Sequence, residues 1–375
     1  MTISTYTDKG VQVGTAEAQP GKLVYGWFDI AELPTGHVER LPVIIAQGYE
    51  PGPVFWLTAN IHGDELTGMA AIHDIVKPDI VEDLRGTIVA IPSLNPAGLR
   101  VTQRRPYFES HDPNRTFPGY HRPSENPEKE EREQKYPTIY ETAMGRLFEV
   151  IKETADFLID LHCYGLQAMS FTIRDRVLYH DETEKAAAEE LYQRTDELCK
   201  AFGLPVVNEA AARHYVDAHL HRSTSGAALN LARIPAITVE LGLIGGVDPD
   251  ALKAARTGIV NSLKWAGMLP GELQPITTIP LPKVPFNTRR ENQPRAAVSG
   301  IIRYHVKPGD VVEEGQVIAT LTDIYGRVLP VNGEIRAESE GWIISLSRGG
   351  VCYQGQVITN MAVRDDEPMV EPFPD

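Results

Sequence analysis

Asn60-Ile61-His62-Gly63-Asp64-Glu65 sets an imidazole and a carboxylate three residues apart, directly after the apolar run Pro53–Ala59. Such a run reads as a buried strand. Side chains just past its end meet near one point. Imidazole nitrogen and carboxylate oxygen are donors that zinc accepts. A catalytic zinc takes three protein ligands and leaves a fourth position for water. The third donor is expected from Phe157-Leu158-Ile159-Asp160-Leu161-His162, a second apolar strand ending on a histidine. Ligands at strand ends agree with the rule that open α/β sheets bind at the carboxyl ends of their strands. An isolated H-x-x-E is common without a metal, so the reading leans on the second strand as well.

Other residues suit the same chemistry, each with a plainer alternative. A water bound in the fourth position has a lowered pKa and needs a base to take its proton. Glu240, at the end of Pro235–Leu241, is the candidate; a capping or ion-paired glutamate is the alternative. Arg115, in Asp112-Pro113-Asn114-Arg115, carries a planar fork that matches a carboxylate bidentately. The pair Asn114-Arg115 could instead anchor its loop. Asp160 lies two residues before His162, on the same strand face. It can orient a metal-binding histidine or be an ordinary strand-end polar residue. Cys163, adjacent to His162, is expected to be a small buried residue rather than a ligand. His214, His219 and His221, with Asp217, read as a lid or substrate-contacting segment, with a second metal site as the alternative.

These positions need elements to hold them. Leu66–Val76, Tyr140–Thr154, Thr183–Phe202 and Pro249–Gly267 carry helical patterns. Leu41–Ala46, Gly86–Pro92 and the three runs above read as strands. Ser93–Gly98 reads as a loop. Alternating strands and helices predict an α/β fold with a mostly parallel sheet and helices on both faces. The expected organisation is a domain over 1–270, a proline-rich linker over 271–295, and a small all-β domain over 296–375.

Composition bounds the rest. The chain has 375 residues, 51 acidic against 36 basic, and a net charge of −15. That argues against a nucleic-acid partner. The acidic run Glu125–Glu133 reads as a solvated loop, with an interaction segment as the alternative. Three cysteines, an odd and low count, argue against a disulfide framework and fit a reducing compartment. Met1–Pro20 has no apolar signal-peptide core, and no stretch is apolar enough to span a membrane. A cytoplasmic location is expected.

His62-x-x-Glu65, Asn95-Pro96, Asn114-Arg115, Asp160-Leu161-His162 and Thr238-Val239-Glu240-Leu241-Gly242 occur in the order of the aspartoacylase/succinylglutamate desuccinylase family, a branch of the zinc carboxypeptidase fold. The resemblance covers about residues 40 to 265. It implies an eight-stranded mixed sheet flanked by helices and one Zn2+ held by His62, Glu65 and His162. It implies Glu240 as general base and an arginine facing the oxyanion, which falls on Arg104 with Arg105 adjacent. It implies that Asn114 and Arg115 hold the substrate's α-carboxylate. The family's tyrosine near the carboxylate has no clear match; Tyr325 and Tyr353 are guesses. The implied reaction is hydrolysis of a small N-acyl amino acid. A carboxypeptidase acting on peptide C-termini is the alternative, and a non-catalytic binding homologue ranks below it. The last part of the chain, Lys307–Ile318, resembles the biotinyl/lipoyl half-barrel. The place of its modified lysine reads Asp323-Ile324-Tyr325-Gly326, so no attached cofactor is expected. Such a domain would wall the site or support assembly, for instance as a homo-oligomer.

Overall fold

In the computed structural model, which describes residues 10–120, 136–347 and 349–374, the central strands are buried on both faces. The acidic run Glu125–Glu133 lies outside these residues. The main sheet contains β1 (Lys22–Glu32), β2 (Val38–Gln47), β3 (Glu50–Ala59), β4 (Arg85–Ile91), β5 (Phe157–His162), β6 (Phe171–Arg174), β7 (Val206–Asn208) and β8 (Ala236–Glu240). Four later strands extend it: β9 (Thr288–Asn292), β10 (Val311–Val312), β11 (Gly341–Leu346) and β12 (Thr359–Arg364). The order across the sheet is β10-β11-β12-β9-β7-β6-β8-β5-β3-β4-β2-β1. Strands β4, β3, β5 and β8 run parallel, and β6 pairs with β8 antiparallel. The sheet is therefore mixed and has twelve strands, four more than the resemblance implied.

Side-chain alternation sends neighbours to opposite faces. Phe55, Leu57 and Ile159 pack with Ile72, Phe202 and Ile259 of the helices Thr67–Ile75, Lys185–Phe202 and Pro249–Trp265. Trp56 and Leu158 pack on the other face, with Leu147 of the helix Ile139–Thr154 and Leu229 of the helix Thr224–Asn230. Helices thus cover both faces.

Two expectations need correction. The Ser93–Gly98 stretch is not all loop, because Pro96–Val101 is a helix. Asn95 caps it by accepting from the Gly98 amide (2.8 Å), and Pro96 loses nothing at the first helical position. Within the proline-rich stretch read as a linker, Thr288–Asn292 is strand β9, paired with β7 and β12. Prolines before it hid a pattern that depends on pairing partners distant in sequence.

Beyond β9 the described residues form strands and no helix. Gly300–Tyr304, Val317–Thr322, Glu334–Arg336 and Gly350–Cys352 make a second, four-stranded sheet. Ile343 and Met361 face it, while Trp342, Ile344 and Ala362 turn toward Phe171 and Val207 of the main sheet. A buried ion pair reinforces this junction. Arg176 is fully buried, and its Nη2 lies 3.2 Å from each Asp365 oxygen. Asp365 also accepts from Asn208 Nδ2 at 2.6 Å.

Asp365→Ala should leave the buried Arg176 charge with only Glu371, 3.6 Å away, as a carboxylate partner among the described residues. We expect a loss of about 3–5 kcal/mol in chemical denaturation. A loss under about 1 kcal/mol would show that water or another carboxylate replaces Asp365 at no cost.

Candidate active site

The turn after β3 is built to hold two donors. Asn60 takes a left-handed backbone (φ 54°), which asparagine tolerates better than most residues. Its Nδ2 donates to the carbonyls of His62 (3.0 Å) and Glu65 (2.8 Å), closing the turn on itself. Gly63 is required by close approach: a Cβ there would sit 2.1 Å from the Gly98 backbone. The helix 96–101 can therefore press against the turn.

β5 runs parallel to β3 and delivers His162 beside that turn. Glu65 sits between the two histidines. Its Oε1 lies 2.7 Å from His62 Nδ1 and its Oε2 lies 2.9 Å from His162 Nδ1. The Cys163 amide also donates to Oε2, at 3.0 Å. All three side chains are buried, and their ligand atoms lie within 4.8 Å of one another. Among the described residues this is the one group arranged to hold a metal ion. His214, His219 and His221 do not form a second.

The far side of each ring is also held. His62 Nε2 is 3.0 Å from Asp112 Oδ1, and His162 Nε2 is 2.8 Å from Asp160 Oδ2. Thr58 Oγ1 donates to Asp160 Oδ1 at 2.7 Å. Outer carboxylates of this kind fix ring orientation and raise ligand basicity. Burial opposes protonating His162, but Asp160 and Glu65 outweigh it and hold the ring well above the imidazole range. Burial likewise opposes ionising Glu65, and the two histidines outweigh it, keeping the carboxyl below its ordinary range. Two convergent Nδ1 atoms with a carboxylate match the donor set of a divalent metal.

A cavity of about 150 Å³ opens on this cluster. Arg104, Asn114, Arg115 and Glu240 line it too. Glu240 sits opposite His162 in the β8–β5 ladder. Its Oε2 is buried without a hydrogen-bond partner among the described residues. Burial pushes its pKa up to about 7; His162 pulls against this and Glu65 adds to it. Arg104 spans Asp112 (2.7 Å) and Glu65 (3.7 Å), whereas Arg105 is exposed and away from the cavity. Asn95 locates this segment, donating from Nδ2 to the Arg104 carbonyl at 3.2 Å. Asn114 Oδ1 accepts from the Thr224 amide at 3.0 Å, leaving Nδ2 near His162. Arg115 donates to the carbonyls of Asn114 (2.6 Å) and Ala218 (3.3 Å) and forms no salt bridge among the described residues. Burial lowers its pKa from the ordinary arginine value.

Several lining residues were not among the sequence candidates: Tyr164, Asp175, Glu209, Ser225 and Arg290. Tyr164 could have been found, because it follows His162 by two. Glu209 and Arg290 carry no local signal, and their bidentate pair (3.1 Å and 2.5 Å) joins positions far apart in sequence. The tyrosine guesses fail: Tyr325 and Tyr353 are exposed and outside the cavity. The 208–225 segment folds largely as helical turns and contributes Leu220, Ser223 and Ser225 to the cavity. Cys163 is buried, and burial pushes its thiol pKa up to about 12, as expected of a non-ligand. No helix among the described residues is long and apolar enough to cross a membrane.

A mixed sheet with a His–Glu–His group at its strand ends defines an α/β protein with one pocket whose donors could hold a metal ion, among the described residues. Residues 51–266, more than half of the chain, match the succinylglutamate desuccinylase/aspartoacylase catalytic domain, and the chain belongs to that family. It is similar to an N-alpha-acetyl-L-2,4-diaminobutyric acid deacetylase from Halomonas elongata, 28% identical over 311 residues, covering 80% of this chain and 79% of that protein. Its fold is that of a succinylglutamate desuccinylase from Silicibacter sp. TM1040 (TM-score 0.69, 19% identity, 92% of this chain and 95% of that one). It is equally that of the ectoine utilization protein EutE (DoeB) from Ruegeria pomeroyi, solved with product bound (TM-score 0.69, 22% identity, 91% and 95%).

Asp160→Asn keeps the shape beside His162 and removes the charge. Zinc affinity, measured by competition with a chromophoric chelator, should fall about 10- to 100-fold. Unchanged affinity would remove Asp160 from support of the metal group.

Proposed function

We propose that this chain is a zinc-dependent amidohydrolase that cleaves the acyl group from an N-acyl amino acid. The observation that carries the reading is the buried Glu240 carboxylate, its Oε2 without a hydrogen-bond partner among the described residues, facing the same small cavity as His62, Glu65 and His162. His62, Glu65 and His162 would hold the zinc. When bound there, zinc supplies a Lewis acid that polarises a carbonyl and acidifies water. Glu240 then accepts the attacking water's proton and returns it to the leaving amine. Arg104 faces the charge that develops on the amide oxygen. Arg115, with Asn114 beside it, receives the α-carboxylate through its bidentate fork.

A carboxypeptidase acting on peptide C-termini is the second reading, since the same groups could hold a terminal carboxylate. The Halomonas relative is named for removing acetyl, so acetyl is the first acyl group to test. We further read residues 1–270 as the catalytic unit, 271–295 as its connection and 296–375 as a biotinyl-like β unit without a carrier lysine. The Glu209–Arg290 pair ties that connection to the pocket wall. A cytoplasmic location fits the three free, buried cysteines.

Glu240→Gln should lower kcat by about 10²- to 10⁴-fold while zinc content stays at the wild-type level. Near-normal turnover would assign the base elsewhere. Arg115→Lys should raise KM roughly tenfold or more, since a point charge does not replace a bidentate fork. An unaltered KM would separate Arg115 from carboxylate binding.

A further inference from the structure

After β12 the chain turns back toward the pocket. Strand Val370–Pro372 pairs in parallel with Val177–Tyr179, apart from the main sheet. The pairing is closed at both ends. The Val177 amide donates to the Met369 carbonyl (3.0 Å), and the Phe373 amide donates to the Tyr179 carbonyl (2.7 Å). Buried Arg176 holds the approach to this strand, donating from Nη1 to the Pro368 carbonyl at 2.6 Å. Phe373 is thereby set among aromatic rings. It stacks on His180, with centroids 4.9 Å apart, and meets Tyr120 (5.2 Å) and His221 (6.1 Å) edge-on. It also packs on the apolar cluster that holds Tyr215, Val216 and Leu220.

That cluster carries one wall of the cavity. Residues 212–222 run as a short helix, Ala212–Asp217, and a single turn, Leu220–Arg222, joined through His219 in a left-handed backbone (φ 54°). A residue other than glycine keeps such a backbone only where its surroundings over-determine it. Helical pieces this short do not hold themselves. Two residues beside the joint reach the site. The Ala218 carbonyl accepts from Arg115 Nε at 3.3 Å, and Leu220 lines the cavity. On the other side, the Phe117 amide donates to the Arg222 carbonyl (3.2 Å), and Arg222 Nε donates to the Phe117 carbonyl (3.1 Å). The turn is thus held between the loop bearing Asn114 and Arg115 and the ring of Phe373.

Resting on the deacylase reading, we infer that Pro368–Phe373 is a strap and that Phe373 is a positioning residue for substrate binding. By fixing residues 212–222 it holds the Ala218 carbonyl at Arg115 and Leu220 against the cavity. The guanidinium is then already placed to receive a carboxylate, and binding loses less entropy to ordering. His62, Glu65 and His162, held by β3, β5 and the turn after β3, do not depend on the strap.

The test compares the zinc-loaded full chain with Phe373→Ala, Phe373→Leu and Phe373→Tyr. With an N-acetyl amino acid as substrate, Phe373→Ala should raise KM about 3- to 10-fold, with kcat and zinc content near wild type. Phe373→Tyr, which keeps the ring, should recover most of that loss. Hydrogen exchange read by mass spectrometry should show the amides of 212–222 exchanging about tenfold faster in Phe373→Ala, and those of 60–65 and 157–162 at the wild-type rate. A ring with only a structural role would lower the active fraction. Reduced kcat at unchanged KM, with faster exchange throughout, therefore overturns the inference, as does wild-type exchange in 212–222. Should Phe373→Ala fail to fold, Phe373→Leu keeps apolar area without the stack on His180 and is read by the same criteria. If the wild type hydrolyses no acyl amino acid, the deacylase reading fails. The exchange pattern then decides the strap by itself: loosening confined to 212–222 upholds it, and uniform or absent loosening ends it.

Discussion

Burying two imidazoles and a carboxylate against one another is tolerable only when every polar atom among them is answered. Glu65 provides that answer, and the site depends on it. Each of its oxygens faces one histidine, and the Cys163 amide fixes its orientation. The outer ring nitrogens are answered by Asp112 and Asp160. Asp112 in turn engages Arg104, so the His–Glu–His group and this arginine belong to one network.

The cavity wall beyond this network is a balance of charges rather than an apolar pocket. Glu209 and Arg290 cancel one another, as do Asp112 and Arg104. What is left over is informative, because a folded protein rarely buries charge without a partner. Glu240, Arg115 and Asp175 line the same cavity and form no salt bridge among the described residues.

The later strands are part of this balance. β9, β12, β11 and β10 continue the main sheet, and Arg290 on β9 reaches back to Glu209 beside the cavity. The Arg176–Asp365 pair locks the same junction from inside the protein. The β-rich part of the chain is therefore joined to the pocket by backbone pairing, apolar packing and buried charge.

Sequence by itself determined the local chemistry. His62-x-x-Glu65, the strand ending on His162, and Glu240 at the end of its own strand were legible because side-chain period and burial are local properties. The four longest helices followed for the same reason; the short ones Ile80–Asp83, Pro96–Val101, Ala212–Asp217 and Thr224–Asn230 did not, since so few residues carry no long apolar pattern. Tertiary structure decided what no local pattern encodes. It put Arg104 and not Arg105 on the cavity wall, made Thr288–Asn292 a strand where the prolines suggested a linker, and placed Asp175 and Arg290 at the cavity. Such residues declare their roles only when strands distant in sequence pair. A charge is then defined by whichever partner the fold supplies or withholds.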